Sequence, residues 1–486
     1  MVFSSLAFLC VFLPVIFLLY VLLPSTRAKN GLLIVASLVF YAYGEPVYVV
    51  LLLISAALNW ILGLLIGSRD GARADPGANS HAGARAGTGR RRTALIVAVI
   101  VNLGFLVVFK YSDWLVSLAN TALGTRIAAP HLALPIGISF YTFQALSYVI
   151  DVYRGTCAPQ RNFFKLLLFI SLFFQLLAGP IIKYHEIEEQ LSTRKVTARR
   201  VATGLRRFAV GLAKKALIAI PMAAVVNAIY AAPRTQVNIV VAWVAALAFL
   251  AQIYFDFSGY TDMAIGLASM FGFSYAENFD HPYISRSIRE FWRRWHISLS
   301  SWFTTYLYIP LGGNRKGRVR AVINRFIVFT LCGLWHGADL TFLVWGFFQG
   351  FLMMLEELLP IRKLPKALGW FYAFLMVCLG FVVFRASSVA QALFMLRQMF
   401  AGFNFSHLSV ARASWMLNPL TVAVFIVAII ASTPYARQLI DYLRARVRGL
   451  ASAVRVASYA GALALFVLSF LSLSVGGYHP FIYFRF

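Results

Sequence analysis

The sequence lacks the cysteine patterns and the nucleophile and metal motifs that mark several common functions. Its four cysteines are scattered without a C-x-x-C pair, so neither a disulfide framework nor a thiolate metal site is predicted. No G-x-S-x-G motif occurs, which leaves a covalent serine relay without its usual motif. No pair of histidines has the H-x-x-x-H spacing of a metal site, and no metal is predicted. The sequence has no internal repeat, which counts against a secondary transporter.

Acidic residues are also scarce. The chain has 17 Asp and Glu against 44 Lys and Arg, for a net charge of +27. The basic residues lie in short loops between apolar runs, as the positive-inside rule expects of cytoplasmic loops. This placement indicates a membrane protein and argues against nucleic-acid binding.

Apolar residues are abundant. Hydrophobic residues make up 60% of the 486 residues and the mean hydropathy is +0.76, whereas a soluble domain has about 45–50% apolar residues. Many runs reach the roughly 20 residues that cross a bilayer. The sequence predicts an all-α polytopic integral membrane protein with one membrane domain over residues 1–486 and about ten to eleven spans.

The pattern of runs and loops suggests how that domain is divided. We expect N-terminal spans in 1–68, a flexible cytoplasmic linker in 69–92, a core in 133–358, and C-terminal spans with a tail in 359–486. The basic segments 69–92 and 183–215 should both be cytoplasmic, but three apolar runs separate them. At least one run is therefore predicted to be re-entrant, and 133–144 is the candidate.

Residues 286–306 read as one amphipathic helix with two possible functions. One face of this helix is apolar. The opposite face carries Arg286, Arg289, Arg293, His296 and Ser300. The helix would either lie at the membrane surface, with its arginines on anionic headgroups, or gather a phosphorylated ligand. Without a resemblance to a family, the first interpretation is somewhat favoured.

A glycine-rich basic turn follows this segment. Gly312 and Gly313 precede Asn314, Arg315 and Lys316, and backbone amides freed by glycine next to cations suit a phosphate. The signal is weak on its own, because many cytoplasmic loops have this composition.

His336 interrupts one of the most apolar stretches, FIVFTLCGLWHGADLTFLVWGFFQGF. If Arg325 marks the membrane surface, eleven helical residues place His336 about 16 Å deep, near the bilayer midplane. An ionisable residue there is a functional candidate, and histidine is the natural general base near neutral pH. The alternative is a structural histidine that bonds a backbone carbonyl or Asp339.

Two further acidic residues, Asp256 and Asp262, lie at the edge of an apolar run and need partners. The arginines of 286–294 are near in sequence. A buried network that includes Asp256, Asp262 and Asp339 is at least as well supported as catalysis by these carboxylates.

Several of these segments together resemble the membrane-bound O-acyltransferase family, most closely its bacterial polysaccharide branch, typified by alginate O-acetyltransferase. The resemblance rests on DFSGYTDMAIG, ENFDHPY, FWRRWHISLSSWF, YLYIPLGGNRKG, GLWHGAD and FIYFRF, in family order. It implies helices around a thinned central tunnel, with His336 as the catalytic histidine and His296 as the second one.

The resemblance also implies how the site works. A cytoplasmic thioester, acetyl-CoA or an acyl carrier, serves as co-substrate without a permanent cofactor. Its phosphates are expected near the arginines and the basic turn, Asn314 is expected to orient a carbonyl or a histidine, and Trp295 and Trp335 are expected to wall the tunnel. The acceptor would be an extracytoplasmic partner acyltransferase that decorates a polysaccharide outside the bacterial cytoplasmic (inner) membrane.

Three alternatives stay open at this point. The same fold could transfer D-alanine to teichoic-acid-type polymers or O-acetylate peptidoglycan. The turn Ile309–Gly317 favours an acetyltransferase for an exopolysaccharide, such as alginate or cellulose, or for peptidoglycan over D-alanyl transfer, and it does not identify the glycan. A transporter or flippase could use the basic face and the buried histidine for passage. A scaffold without chemistry leaves the histidine unexplained.

Overall fold

The computed structural model describes residues 1–67, 80–446, 450–476 and 481, and its regular structure in these ranges is entirely helical. The chain divides into two compact units. The first comprises Met1, Ala7–Val201 and Ala268–Tyr275, and the second comprises Val2–Leu6, Ala202–Leu267 and the chain from Ala276 onward. The helical membrane class predicted from composition is confirmed.

The first unit consists of the N-terminal helices and several short ones. In chain order its helices are Phe8–Phe12, Leu13–Leu22, Thr26–Ala42, Val49–Gly67, Ser80–Leu106, Val107–Tyr111, Ser112–Leu123, Ile138–Arg154, Phe163–Ser171, Phe173–Leu176, Tyr184–Ile187 and Gln190–Thr193.

The second unit contains most of the predicted site residues. Two of its helices, Ala198–Ala213 and Ile239–Met270, include a few residues assigned to the first unit. In chain order its helices are Ala198–Ala213, Lys214–Ala219, Ile220–Tyr230, Arg234–Gln236, Ile239–Met270, Pro282–Ile284, Ile288–Arg294, Ile297–Phe303, Thr304–Tyr308, Gly317–His336, Leu340–Leu358, Ile361–Lys363, Lys366–Arg385, Val389–Ala401, His407–Met416, Pro419–Ala431, Tyr435–Arg446 and Leu450–Val475.

Fewer helices can cross a bilayer than the sequence predicted. Among the described residues six are long and apolar enough, or seven if the pair His407–Met416 and Pro419–Ala431, bent by 57°, is one span. Some apolar runs form shorter pieces instead. The run 162–182, for example, contains the helices Phe163–Ser171 and Phe173–Leu176. The expected ten to eleven spans are therefore not confirmed.

The predicted cytoplasmic linker is only partly visible. Residues 68–79 lie outside the described part of the chain. From Ser80 the backbone is helical and continues to Leu106. Alanine and arginine, which are frequent in this stretch, are both good helix formers.

The predicted amphipathic helix over 286–306 is not continuous. It is broken into Ile288–Arg294 and Ile297–Phe303, and His296 between them adopts a left-handed conformation with φ of 45°. The backbone amides after the break bond elsewhere: Ile297 N–H donates to the Asn278 carbonyl at 3.0 Å and Ser298 N–H donates to Asn278 Oδ1 at 3.0 Å. Tertiary hydrogen bonds thus replace the helical ones.

This break corrects the predicted assignment of faces. The predicted apolar face is buried as expected. His296, however, is fully buried beside Phe257 and Asn278, whereas Arg293 is exposed. A helical projection could not reveal this, because it assumes one uninterrupted helix.

Glycines let the helices Gly317–His336 and Leu340–Leu358 approach each other closely. A Cβ on Gly333 would lie 2.8 Å from Gly346 Cα, and one on Gly346 would lie 2.6 Å from the Phe329 carbonyl oxygen. His336 is the last residue of the first helix. The glycine contact therefore fixes the position of His336 against the second helix.

We expect Gly346→Ala to destabilise the protein by about 1–3 kcal/mol, because the new methyl group overlaps the backbone of the neighbouring helix. Thermal unfolding in detergent measures the change. Gly104→Ala is the matched control, since a Cβ on Gly104 meets nothing within 4 Å and alanine is otherwise favoured over glycine in a helix by about 1 kcal/mol. If the Gly346→Ala protein were as stable as the Gly104→Ala protein, the close approach of the two helices at Gly346 would not contribute to stability.

Candidate active site

His336 lies in an aromatic enclosure. It is 5% exposed. Its imidazole centroid lies 5.0 Å from the ring of Trp335, 5.2 Å from Trp345 and 5.4 Å from Phe384. These rings come from three helices, and they keep bulk water from the imidazole. A histidine held in this way can exchange a proton with a bound reactant without competition from solvent.

Trp335 brings the two predicted catalytic histidines together. Its indole lies 5.0 Å from the His336 ring and 6.4 Å from the His296 ring. The two histidines are 40 positions apart in the sequence, and the fold places both of them beside the Trp335 indole. The catalytic role that the resemblance implies for them stays a prediction.

Asn278 holds His296 in one tautomer. The Ser298 N–H can only donate a hydrogen bond, and it lies 3.0 Å from one side-chain atom of Asn278. That atom must therefore be the amide oxygen of Asn278. His296 Nδ1 lies 3.3 Å from the same oxygen and must therefore carry the proton. Nε2 is left as an acceptor, and it has no hydrogen-bond partner among the described residues. A bound hydroxyl or amide group could donate to it.

The buried position of His296 also determines its charge. His296 lies outside the helices that are long and apolar enough to span a bilayer. Burial lowers the pKa of His296 to about 3, because an imidazolium loses its hydration there. The ring is therefore neutral at physiological pH and acts as a hydrogen-bond acceptor, not as a cation.

A cavity of ≈ 370 Å³ is lined by three arginines and by residues of the helix that ends at His336, although His336 itself is not among its lining residues. The lining includes Cys332, which precedes His336 by about one turn of the same helix. The lining is mostly apolar, with polar groups at one end. The lining residues are Arg289, Trp292, Arg293, Leu299, Ser300, Phe303, Thr304, Tyr308, Asn314, Arg325, Val328, Phe329, Cys332 and Met353.

Three arginines line this cavity, and they differ in their partners. Arg289 and Arg325 both bind the carboxylate of Glu357, the latter at 2.7 Å. Arg293 is exposed and has no hydrogen-bond or ion-pair partner among the described residues. It also lines an adjoining open cavity. Arg293 is therefore the cation most available to an incoming anion.

Asn314 lies at the same end of the cavity. Its side-chain oxygen accepts a hydrogen bond from the Tyr308 hydroxyl and another from Arg325 at 3.4 Å. It lies in the turn that precedes the helix Gly317–His336, at the opposite end from His336, so it is placed beside the arginines of the cavity. The predicted role of orienting a histidine has no support in this geometry.

Three other predicted binding residues lie away from this cavity. Arg286 lines a separate cleft, and Arg315 and Lys316 are exposed and line none of the described cavities. The expected free amides of the turn are also occupied. Gly312, Gly313 and Arg315 all donate to carbonyls within the turn, at 3.0 Å each. Positive φ angles at Gly312 and Gly313 explain the glycines there.

Trp295 does not wall the cavity as predicted. Its indole packs against Phe279, Phe291 and Phe381, with centroids 5.1–5.5 Å apart. Phe279 in turn stacks near His296 at 6.5 Å. Trp295 therefore packs against aromatic residues around His296. Trp335, the other predicted wall residue, does not line the cavity either, and its indole is next to both histidines.

The three predicted structural carboxylates have partners other than the arginines of 286–294. Asp256 pairs with Lys215 at 2.6 Å. Asp262 accepts from Arg207 at 2.9 Å and from Lys214 at 2.6 Å. Asp339 caps the next helix by accepting from the Thr341 amide at 2.9 Å. Within the described ranges these three carboxylates have different partners, and each of those contacts is structural.

Sequence reasoning missed Asn278, Arg325 and Glu357. Asn278 lies in the motif ENFDHPY and is fully buried, so its polarity within that apolar context was the available signal. Arg325 was interpreted only as a marker of the membrane surface. Glu357 follows Glu356 in a region with few acidic residues, and carboxylates in a region rich in arginine are a cue for the partners of those arginines.

The chain is similar to several known proteins. The model of the MBOAT, membrane-bound O-acyltransferase, family matches residues 160–422. A probable alginate O-acetylase of Pseudomonas putida is 39% identical, with 100% of both chains covered. A peptidoglycan O-acetyltransferase of Helicobacter pylori is 34% identical over 89% of this chain and 86% of its own. A teichoic acid D-alanyltransferase of Bacillus subtilis is 28% identical over 51% of this chain and 68% of its own.

Proposed function

The chain belongs to the membrane-bound O-acyltransferase family and is an O-acyltransferase, and we propose that it moves an acetyl group from a cytoplasmic thioester to a hydroxyl outside the membrane. The donor in this proposal is acetyl-CoA, and the final acceptor is an exported polysaccharide, with alginate as the first candidate. The protein acts in the cytoplasmic membrane of a bacterium.

The cavity lined by both Arg293 and Cys332 carries this proposal, because Cys332 precedes His336 by about one turn of the same helix. Coenzyme A combines phosphates with a long pantetheine arm. The arginines at one end suit the phosphates, and the apolar lining suits the arm. The thioester would then lie near Cys332, about one helical turn from His336. Transfer to the other side follows if the acceptor reaches His336 from the opposite face.

In the proposed reaction His336 acts as the general base. Its imidazole removes the proton of the acceptor hydroxyl, whose oxygen attacks the thioester carbonyl. The carbon–sulfur bond breaks, the acetyl ester forms, and the thiolate takes the proton from the imidazolium. Because His336 ends a helix of 20 residues, the partial negative charge of the helix terminus favours the transient imidazolium.

His296 is proposed as a positioning residue in this scheme. Neutral and fixed by Asn278, it offers Nε2 as an acceptor on the other side of Trp335. A pantetheine amide or the acceptor hydroxyl could donate to it. This contact would hold the reacting group against His336 without a change in charge.

The relatives favour a polysaccharide acceptor. The alginate relative matches over the whole chain, whereas the D-alanyltransferase matches over about half of it. The peptidoglycan O-acetyltransferase leaves peptidoglycan as the second candidate. Ester-linked acetate on isolated alginate and peptidoglycan, compared between a deletion strain and the complemented strain, distinguishes the two. Loss of acetate from neither polymer would contradict both.

We expect Arg293→Ala to raise the KM for acetyl-CoA by about ten- to a hundredfold, because one hydrogen bond to a charged group is worth about 1.5–3 kcal/mol. The turnover number should change little, since Arg293 lies far from the reacting carbonyl. Initial rates at varied acetyl-CoA concentration measure the effect, which should shrink as salt is added.

Arg315→Ala is the matched control for that measurement. Arg315 is equally basic and exposed but lines neither cavity at the arginines. Its KM should stay within about twofold of the wild-type value, as befits a surface charge. Equal KM values for the two variants would place the donor phosphates elsewhere.

A further inference from the structure

A second cleft, separate from the donor cavity, lies among membrane helices of the second unit. Its volume is ≈ 610 Å³, within the range of ligand sites of about 300–1,000 Å³. The apolar wall comes from the helices Ile239–Met270, Lys366–Arg385 and Pro419–Ala431. No residue of this cleft also lines the donor cavity, which is the one lined by Arg293 and Cys332.

The cleft is accessible from the side where lipid would lie. Trp370 is 43% exposed and Ile429 is 65% exposed, although both line it. The first two wall helices are long and apolar enough to span a bilayer. An apolar opening at this position faces acyl chains instead of water.

Two cations line the cleft together with these apolar residues. A Cβ on Gly369 would lie 3.5 Å from Arg286 Cβ, so Arg286 packs on the face of the helix that also carries Lys366 one turn earlier. Neither the Arg286 guanidinium nor the Lys366 ammonium has a hydrogen-bond or ion-pair partner among the described residues. Lys366 also begins its helix, where the helix dipole favours an anion.

The aromatic residues around the cations are those of a membrane interface. Trp370 donates through Nε1 to the Tyr283 carbonyl at 3.0 Å, and both residues line the cleft with Tyr435. Tryptophan and tyrosine favour the headgroup level of a bilayer. The cationic end of the cleft is therefore at the depth of lipid phosphates, and its apolar part is at the depth of acyl chains.

From these observations we propose that the cleft binds one anionic phospholipid, with its phosphate between Arg286 and Lys366 and its acyl chains along Leu250, Phe425 and Ile429. Charge complementarity selects the headgroup. This site is independent of the acetyl-transfer reaction, and Arg286, which the sequence grouped with the donor arginines, serves the lipid instead.

Native mass spectrometry of the whole protein tests this proposal. The protein is exposed to equal amounts of dioleoyl-phosphatidylglycerol and dioleoyl-phosphatidylcholine. The masses and relative amounts of the protein–lipid complexes then show which lipid is retained. Each basic group near a membrane surface contributes about 1 kcal/mol toward an anionic lipid, so two of them predict a preference of about tenfold or more. Arg286→Gln/Lys366→Gln should reduce that preference to about one, taking the same constant.

Control variants keep the result interpretable. Lys363→Gln removes an exposed cation of the same type that does not line the cleft, and it should keep the preference. Ala428→Trp fills the apolar part and should reduce retention of both lipids. If the double variant does not fold, Lys366→Gln alone should lower the preference severalfold.

Three results would overturn the proposal. They are equal retention of the two lipids by the wild type, an unchanged preference in the double variant, and full competition by soluble glycerol phosphate, which would mark a site for a free phosphate. Because the readout is lipid mass, failure here leaves the acetyl-transfer proposal intact, and failure of acetyl transfer leaves this one intact.

Discussion

His336→Ala should lower O-acetylation of the exported polymer by about 10²- to 10⁴-fold, the contribution of a general base in acyl transfer. The reason is that the acceptor hydroxyl keeps its proton, and neutral hydroxyls attack thioesters slowly. Ester-linked acetate per sugar, measured on polymer from cells that express each variant at equal membrane levels, gives the effect.

His336→Gln is the matched control for loss of shape. Glutamine fills most of the aromatic enclosure but accepts no proton, so it should be as inactive as alanine. If glutamine restored more than about a tenth of the activity, His336 would be a packing or hydrogen-bonding residue and not a base.

Asp256→Ala should destabilise the protein by about 3–5 kcal/mol, because it removes one partner of a buried ion pair. Lys215 Nζ lies 2.6 Å from Asp256, and the two side chains are only 4% and 6% exposed. The substitution leaves the ammonium without its carboxylate in a medium that solvates it poorly. Thermal unfolding in detergent, or the yield of folded protein in membranes, reports the loss.

The double variant Asp256→Leu/Lys215→Met separates the cost of a broken pair from the value of the pair itself. Replacing both members by apolar residues of similar volume is often close to neutral. We therefore expect most of the stability to return. A double variant as unstable as Asp256→Ala would show that these positions require polar side chains.

His336 was predictable from the sequence because membrane burial makes ionisable residues conspicuous, whereas His296 was singled out by its place on the arginine face and by the family resemblance. His336 stood out as one of two ionisable groups in an apolar stretch, and it lies buried at the end of a helix. The basic segment around Arg289 and Arg293 was likewise visible, and these two residues do line one cavity.

The partners of these residues were not predictable, because they depend on long-range contacts. The break at His296 is fixed by Asn278, which is 18 positions away, and no local propensity encodes that pairing. Asp256 pairs with Lys215, which is 41 positions earlier, and not with the arginines that are nearer in the sequence. Arg286 and Arg289 are three positions apart, yet they line different cavities.

The most direct test of the account uses inverted membrane vesicles, whose outer surface is the cytoplasmic one. Acetyl-CoA labelled separately in the acetyl group and in the coenzyme is added outside. With the wild type we predict acetyl label as ester inside the vesicles and free coenzyme A outside, and with His336→Ala neither. Coenzyme label inside the vesicles would instead indicate a transporter, and ester formation by His336→Ala at the wild-type rate would contradict the proposed mechanism.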